Sequence, residues 1–282
     1  MPISRVIAYV VLGLSVATLL AVLARGVAAI WPERAYDART PEAMLDSAAA
    51  MVRDKRADRL PELLEIDPDV PRADRDRVED LYARLGRVFG AAQALADTFA
   101  SELPGEVERL AAEAEGGGTN SILSAVASGR GGPFGGGPGD DAGSRQLAAL
   151  LADPYALIDD GRDRLSVEPL DSESAALLWD ERPVLPPFGL VLRKGDDNRW
   201  RFASPSRLPG LSSVWPRTEP EYRVWASLLT TVEQLLVDLE ADLAAGRVSS
   251  AEQLGRRAIE RGIVPLGLVF VALERSRRED GP

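Results

Sequence analysis

Two pairs of acids, Asp171 with Glu173 and Asp180 with Glu181, are the side chains in this sequence best placed to do chemistry. Paired carboxylates can share proton-transfer work in hydrolysis, or hold a divalent ion between their oxygens. A third acidic run, Asp196-Asp197-Asn198, could touch calcium, but it lacks the glycine and the distal glutamate of an EF-hand loop. Other chemistries are closed off by composition. The 282 residues contain no histidine and no cysteine. That removes Ser-His-Asp and Cys-His catalysis, imidazole and thiolate metal sites, and disulfides. Against a catalytic role for the acids stands their number: 44 Asp and Glu make close neighbours common by chance. Adjacent residues of a strand also point to opposite faces. No catalytic, cofactor-binding or metal-ligating residue is therefore assigned.

The elements that position these acids are short strands. Leu165–Val167, Ala175–Trp179, Gly189–Arg193 and Trp200–Ala203 are short runs rich in Val, Leu and aromatic residues. Lys194-Gly195-Asp196-Asp197-Asn198 reads as the hairpin turn between the last two, with Gly and Asx residues where φ > 0 is needed. Arg182–Pro187, with three prolines, suits a loop or an edge, because proline cannot donate to a ladder.

The stretch LVLRKGDDNRWRFA resembles the closing hairpin of cystatin-like α+β cone domains, the SnoaL-like and nuclear-transport-factor-like group. The resemblance covers residues 164–204. It implies N-terminal helices, a curved antiparallel sheet, and Trp200 packed against the helices. Such domains end near this hairpin, whereas 77 residues follow Pro205 here. Enzymes of the group commonly rely on an Asp–His pair, which a chain without histidine cannot supply.

Helices surround the strands. Thr40-Pro41-Glu42 opens one, with Thr40 as N-cap and an apolar stripe of Met44, Leu45, Ala48, Met51 and Val52. A second short helix carries Leu60, Leu63 and Leu64. From Arg72 to Phe99, Val78, Leu81, Tyr82, Leu85, Val88 and Phe89 repeat at helical spacing. That stripe is wider than a coiled-coil seam, so this helix is expected to pack on its own domain. Pro104 starts another, through Val107 and Leu110. Gly116–Gly143, with eleven glycines in 28 residues, reads as a disordered insertion, within which Ile122, Leu123 and Val126 could form a short helix. Helix resumes over Ser144–Leu151. Thr218-Glu-Pro-Glu221 is a capping box ahead of a long stripe from Val224 to Leu243, closed by Gly246. Ser249-Ser-Ala-Glu252 reads as a second capping box, and Pro265 opens a last helix across Leu268–Leu273. Ile263–Leu273 is too short to span a bilayer.

All of this hangs from Val6–Ala24, nineteen residues without a charge between Arg5 and Arg25. At a rise of about 1.5 Å per residue they cover roughly 28 Å, close to the ~30 Å hydrocarbon core of a bilayer. The apolar core exceeds that of a cleavable signal, which favours an anchor, although Val22-Leu23-Ala24 and Val27-Ala28-Ala29 are tolerable cleavage sites. Arg25, Arg34 and Arg39 would hold the C-terminal side in the cytoplasm; the short leader and large following domain favour export. A net charge of −11 argues against nucleic acid and against a surface hugging anionic lipid. With only two lysines, Lys55 and Lys194, the cations are nearly all arginine, which suggests a GC-rich genome.

The expected protein is therefore an α+β protein. Residues 1–29 are a transmembrane anchor (6–24 the span) and 30–39 a juxtamembrane linker; 40–115 are a helical part and 116–143 a glycine-rich insertion. Residues 144–278 carry the sheet and long C-terminal helices, forming one domain with 40–115. The expected function is a single-pass, non-catalytic binding or scaffold module of a bacterial inner membrane, its domain on the periplasmic side and no cofactor implied. Its partners would be the bilayer, through residues 6–24, and a protein or an apolar ligand in the sheet–helix cleft. The alternative is a hydrolase or ion-dependent enzyme using the acids near the sheet.

Overall fold

Thr40 ends an extended segment and its Oγ1 accepts the Ala43 N–H at 3.1 Å, which caps helix α1 (Pro41–Arg53) at the expected place. The computed structural model describes residues 36–115, 164–183, 190–207, 212, 215–262 and 272, without the side chains of 111–115. The Val6–Ala24 span, the 116–143 insertion, the Ser144–Leu151 helix and the Ile263–Leu273 helix lie outside these residues. Among the described residues no helix is long and apolar enough to cross a membrane.

After α1 the chain makes a 3₁₀ helix, Ala57–Leu63, in which Leu60 and Leu63 are buried. Leu64 is not its third apolar residue, as expected, but extended backbone that bridges to Phe202. Pro61 explains the tight, short helix, since it has no N–H for a regular i→i−4 bond. Helix α2 (Arg72–Glu102) follows as one 31-residue rod, and α3 (Pro104–Glu115) continues it after a break at Leu103. Gly86 of α2 lets the 3₁₀ helix lie flat on it: a Cβ there would stand 2.5 Å from the Asp58 carbonyl oxygen.

The strands are β1 (Leu165–Pro169), β2 (Ser174–Trp179), β3 (Arg182–Pro183), β4 (Leu190–Lys194) and β5 (Trp200–Phe202). They form one antiparallel sheet in the order β1-β2-β4-β5, with β3 on β2. The segment expected as loop or edge thus adds a two-residue strand. Leu177 pairs with Leu190 and its neighbour Leu178 with Pro183. Alternation sends Ala175, Leu177, Trp179, Leu192 and Trp200 to a buried face, and α1 contacts the sheet through β1 and β5. The Trp200 N–H donates to the Ala38 carbonyl at 2.6 Å.

Helix α4 (Glu219–Ala244) starts in the expected capping box, with the Thr218 N–H donating to Glu221 Oε2 at 3.2 Å. It closes in a Schellman motif: Gly246 N–H to Leu243 O at 2.9 Å, Arg247 N–H to Asp242 O at 2.9 Å, and Gly246 at φ +66. The second capping box sits one residue later than expected. Helix α5, residues 251–262, is capped by Ser250, whose Oγ accepts the Gln253 N–H at 3.2 Å, while Gln253 Oε1 accepts the Ser249 N–H at 2.8 Å. Ser250-x-x-Gln253 satisfies the same rule as Ser249-x-x-Glu252, and the burial of Ala251, Leu254 and Ala258 decides between them.

Helices α2 and α4 share two clusters. Val78, Leu81 and Tyr82 meet Tyr222 and Trp215 near their starts, where the Trp215 and Trp225 rings lie 5.5 Å apart. Farther along, Val88, Leu95 and Phe99 meet Leu236, Leu239 and Leu243, joined by Leu254 and Ala258 of α5. Together the described residues make an α+β fold: helices with a small antiparallel sheet.

Candidate functional site

The acids singled out from sequence do not converge. Asp171 and Glu173 precede β2, Asp180 and Glu181 follow it, and six residues at about 3.3 Å each hold the pairs roughly 20 Å apart. Each also has a local task or location. Asp171 caps the β1–β2 turn, accepting the Ser174 hydroxyl at 2.6 Å and the Glu173 N–H at 2.7 Å; these bonds hold its carboxyl below the usual range. Asp180 and Glu181 are the two central residues of a tight turn, at φ +48 and +63, between the paired residues Trp179 and Arg182. Asp180 accepts from Arg164 Nε at 2.9 Å, and the Arg164 guanidinium lies 4.4 Å from the centre of the Trp179 ring. Among the described residues no group of three or more acids is arranged to hold a metal ion.

Asp196-Asp197-Asn198 is a turn. The left-handed residue is Asn198, at φ +58, rather than the glycine. Gly195 matters for space: a Cβ would stand 2.7 Å from Arg201 Nη1 and 3.0 Å from Asp197 Oδ1. Arg201 donates to Asp197 across this gap at 2.9 Å; that bond, more than any other influence, lowers the Asp197 carboxyl to about 2.

The turn forms one wall of a half-open cleft of about 770 Å³. Arg193 of β4 and Arg201 of β5 are direct cross-strand partners, so their side chains share one face of the sheet. Lys194 and Asp196 border them, and Glu173 enters from the start of β2. The opposite wall carries Asp58 and Glu62 from the 3₁₀ helix, Glu65 from the loop after it, and Arg75 and Glu79 from the first turns of α2. Leu64, Ile66, Tyr82 and Ala83 supply apolar surface between the walls.

Two polar anchors keep the walls in place. The Glu65 N–H donates to Phe202 O at 2.8 Å, and the Tyr82 hydroxyl donates to Glu65 O at 2.8 Å, which ties loop, strand and helix together. Burial, above all, pushes the Tyr82 phenol up to about 12. Beneath, Asp67 accepts from Arg207 Nη2 and from Ser206 Oγ, both at 2.7 Å, and from the Asp69 N–H at 3.0 Å. Burial would raise the Asp67 carboxyl, but these donors overcome it and hold it at about 2.

Asp58, Glu62 and Arg201 are committed to Arg56, Arg59 and Asp197. Glu65, Glu79, Arg75, Arg193 and Lys194 make no salt bridge among the described residues, although they line one cleft. Sequence reading brought Glu173 and Asp196 forward and missed the rest. Period-two alternation shows that Arg193 belongs to the sheet face opposite Leu192, but facing it with Glu79, 114 positions away, takes the tertiary fold. No family model, no curated protein and no solved structure matches this chain, so its function is read from its own residues.

Proposed function

We propose that this chain is a membrane-tethered, non-catalytic binding module of a bacterial envelope, held in the inner membrane by Val6–Ala24 and taking a protein partner on its periplasmic domain. The observation that carries the binding reading is the cleft between the 3₁₀ helix, α2 and the β4–β5 hairpin, where charges of both signs, Glu79 and Arg193 among them, line an apolar floor and make no salt bridge with a described residue. An apolar ligand would leave those charges desolvated and unmatched, at a cost of several kcal/mol per buried ion, so the polar lining favours a protein. Separation of the acid pairs by the length of β2 speaks against the hydrolase alternative. The tether rests on the uncharged nineteen-residue stretch near the N-terminus.

The experiment has three arms. Alkaline carbonate washing should leave full-length protein in the membrane pellet and release a variant lacking residues 1–29; release of the full-length protein overturns the tether. Protease shaving of spheroplasts should degrade the domain, and a fully protected domain overturns its export. A photo-crosslinker at Arg193 should trap one protein partner in whole cells. Failure to crosslink any protein from either wall of the cleft overturns the binding reading.

A further inference from the structure

Helices α4 and α5 run in opposite directions. The link between them, residues 245–250, is short, and Leu254 and Ala258 of α5 sit with Leu236, Leu239 and Leu243 of α4. As α5 advances it therefore retraces α4 towards the start of that helix. Its second half carries Arg257 and Arg261, and both reach Asp242. Eighteen residues, or five turns, before Asp242 and on the same side of α4 stands Val224, with Leu228, Thr231 and Leu235 between them at helical spacing. The side that receives α5 at Asp242 thus continues as an apolar stripe past Gly262, where the described helix stops.

Val224 and Leu228 belong to neither of the clusters that α4 shares with α2. A groove of about 560 Å³ borders the stripe, from Asp238 and Arg261 to Ala226. Polar groups along it are already engaged. Thr230 and Thr231 donate their hydroxyls to the Ala226 and Ser227 carbonyls at 2.9 and 2.8 Å, Gln234 Nε2 donates to Asp238 at 2.9 Å, and Arg84 Nε donates to Asp80 at 2.8 Å. An apolar cover would strand none of these groups.

We propose that the cover is Ile263–Leu273, the eleven uncharged residues that follow α5, lying antiparallel on the stripe with its start beside Leu235 and its end beside Val224. The lengths match: at about 1.5 Å per residue, eleven helical residues and the interval from Leu235 to Val224 each measure roughly 16 Å. Composition matches too, since IVPLGLVFVAL brings no polar side chain. Covalent continuity selects this occupant over a second copy or another protein, because α5 delivers the segment to the rim of the groove and a short tether gives it a high effective concentration there. The bilayer is the remaining competitor for so apolar a stretch, and docking on α4 withholds it from lipid. The proposal is independent of the charged cleft and survives the failure of that reading.

The chain has no cysteine, so introduced pairs report this contact without background. Leu228→Cys is combined in turn with Leu268→Cys, Val269→Cys, Phe270→Cys and Val271→Cys, one full helical turn, in the full chain in its membrane, and each pair is treated with a short bis-maleimide. At least one pair should join within a single chain about fivefold faster than the same partner joins Ser249→Cys, which precedes α5 at its far end. A chain ending at Gly262 should let a water-soluble maleimide label the half-buried position of Leu228→Cys about fivefold faster, while Val237→Cys, at a site already 43% exposed, stays unchanged. Equal crosslinking to positions 228 and 249 overturns the proposal, and so does an unchanged labelling rate after truncation. Crosslinks that join two chains overturn it as well and give the stripe to another copy. Should the shortened chain fail to accumulate, the crosslinking arm decides alone.

Discussion

Arg77 of α2 and Glu219 of α4 are joined at 3.0 Å although 142 positions separate them. Arg77 lies in the second turn of its helix and Glu219 is the first residue of its own, so the two helices meet start to start. Near the other end, the Thr98 hydroxyl reaches Glu240 at 3.3 Å. The two longest described helices therefore run parallel, and the chain must come back between them. The sheet belongs to that return path.

Gly86 and Gly90 sit one turn apart on α2 and should respond oppositely to alanine. At Gly86 the new Cβ would press on the Asp58 backbone carbonyl at 2.5 Å, and a backbone atom cannot swing aside. Gly86→Ala is expected to lose about 1–3 kcal/mol despite its better helix propensity. At Gly90 the nearest atom is Asp58 Cβ at 3.5 Å, an ordinary contact, so Gly90→Ala should be neutral or gain up to about 1 kcal/mol. Urea denaturation of both variants checks the pair.

Asp242, with a side chain only 4% exposed, collects Arg247 at 2.6 Å, Arg261 at 2.6 Å and Arg257. Burial would raise its carboxyl, but bonds from Arg247 and Arg257 and the charge of Arg261 prevail and keep it below the usual range. Asp242→Asn should cost about 3 kcal/mol, the low end for a broken buried pair because the arginines can turn to solvent. Hydrogen exchange should then speed up over residues 251–262 more than over α2.

Asp67 makes stability fall with acid in a defined window. Its folded carboxyl, at about 2, lies below the ordinary 3.8, so the folded state binds its proton later than the unfolded chain does. Its contribution is complete above pH ~4 and disappears as pH falls toward ~2, amounting to about 2 kcal/mol. Asp67→Asn should lower stability at neutral pH by about that amount and flatten the acid limb. A limb as steep as the parent's would assign it to other carboxylates.

Glu181 is a non-glycine residue in left-handed backbone, at φ +63, within the two-residue turn after β2. Glu181→Gly should raise stability by about 0.5–1 kcal/mol, since glycine is the preferred residue at such a position. Thermal melting should move up by a few degrees.

What could be read in advance was local. Thr40-Pro41, the Thr218–Glu221 box, Gly246 and the β4–β5 turn are short motifs whose geometry is set by their own residues. The strands were legible because they are short runs of Val, Leu and aromatic residues between turn signals. Where two solutions satisfied the same local rule, as with Ser249 and Ser250, packing chose. Leu64 was lost as a helical residue because Pro61 and a distant strand, β5, competed for it. The cleft was hidden for a related reason. Its walls come from residues 58–83 and 173–201, and a charged residue on a helix surface looks alike in sequence whether it faces water or another wall.

The parallel course of α2 and α4 has a consequence for how the protein comes into being. Glu102 ends the first rod and Glu219 begins the second, with 116 residues between them. A ribosome adding roughly 5–20 residues per second leaves the stripe of Val78, Leu81 and Phe99 uncovered for several seconds before its cover is made. During that interval the 3₁₀ helix already lies on one side of α2, but the face that α4 covers in the finished fold stays open to off-path association.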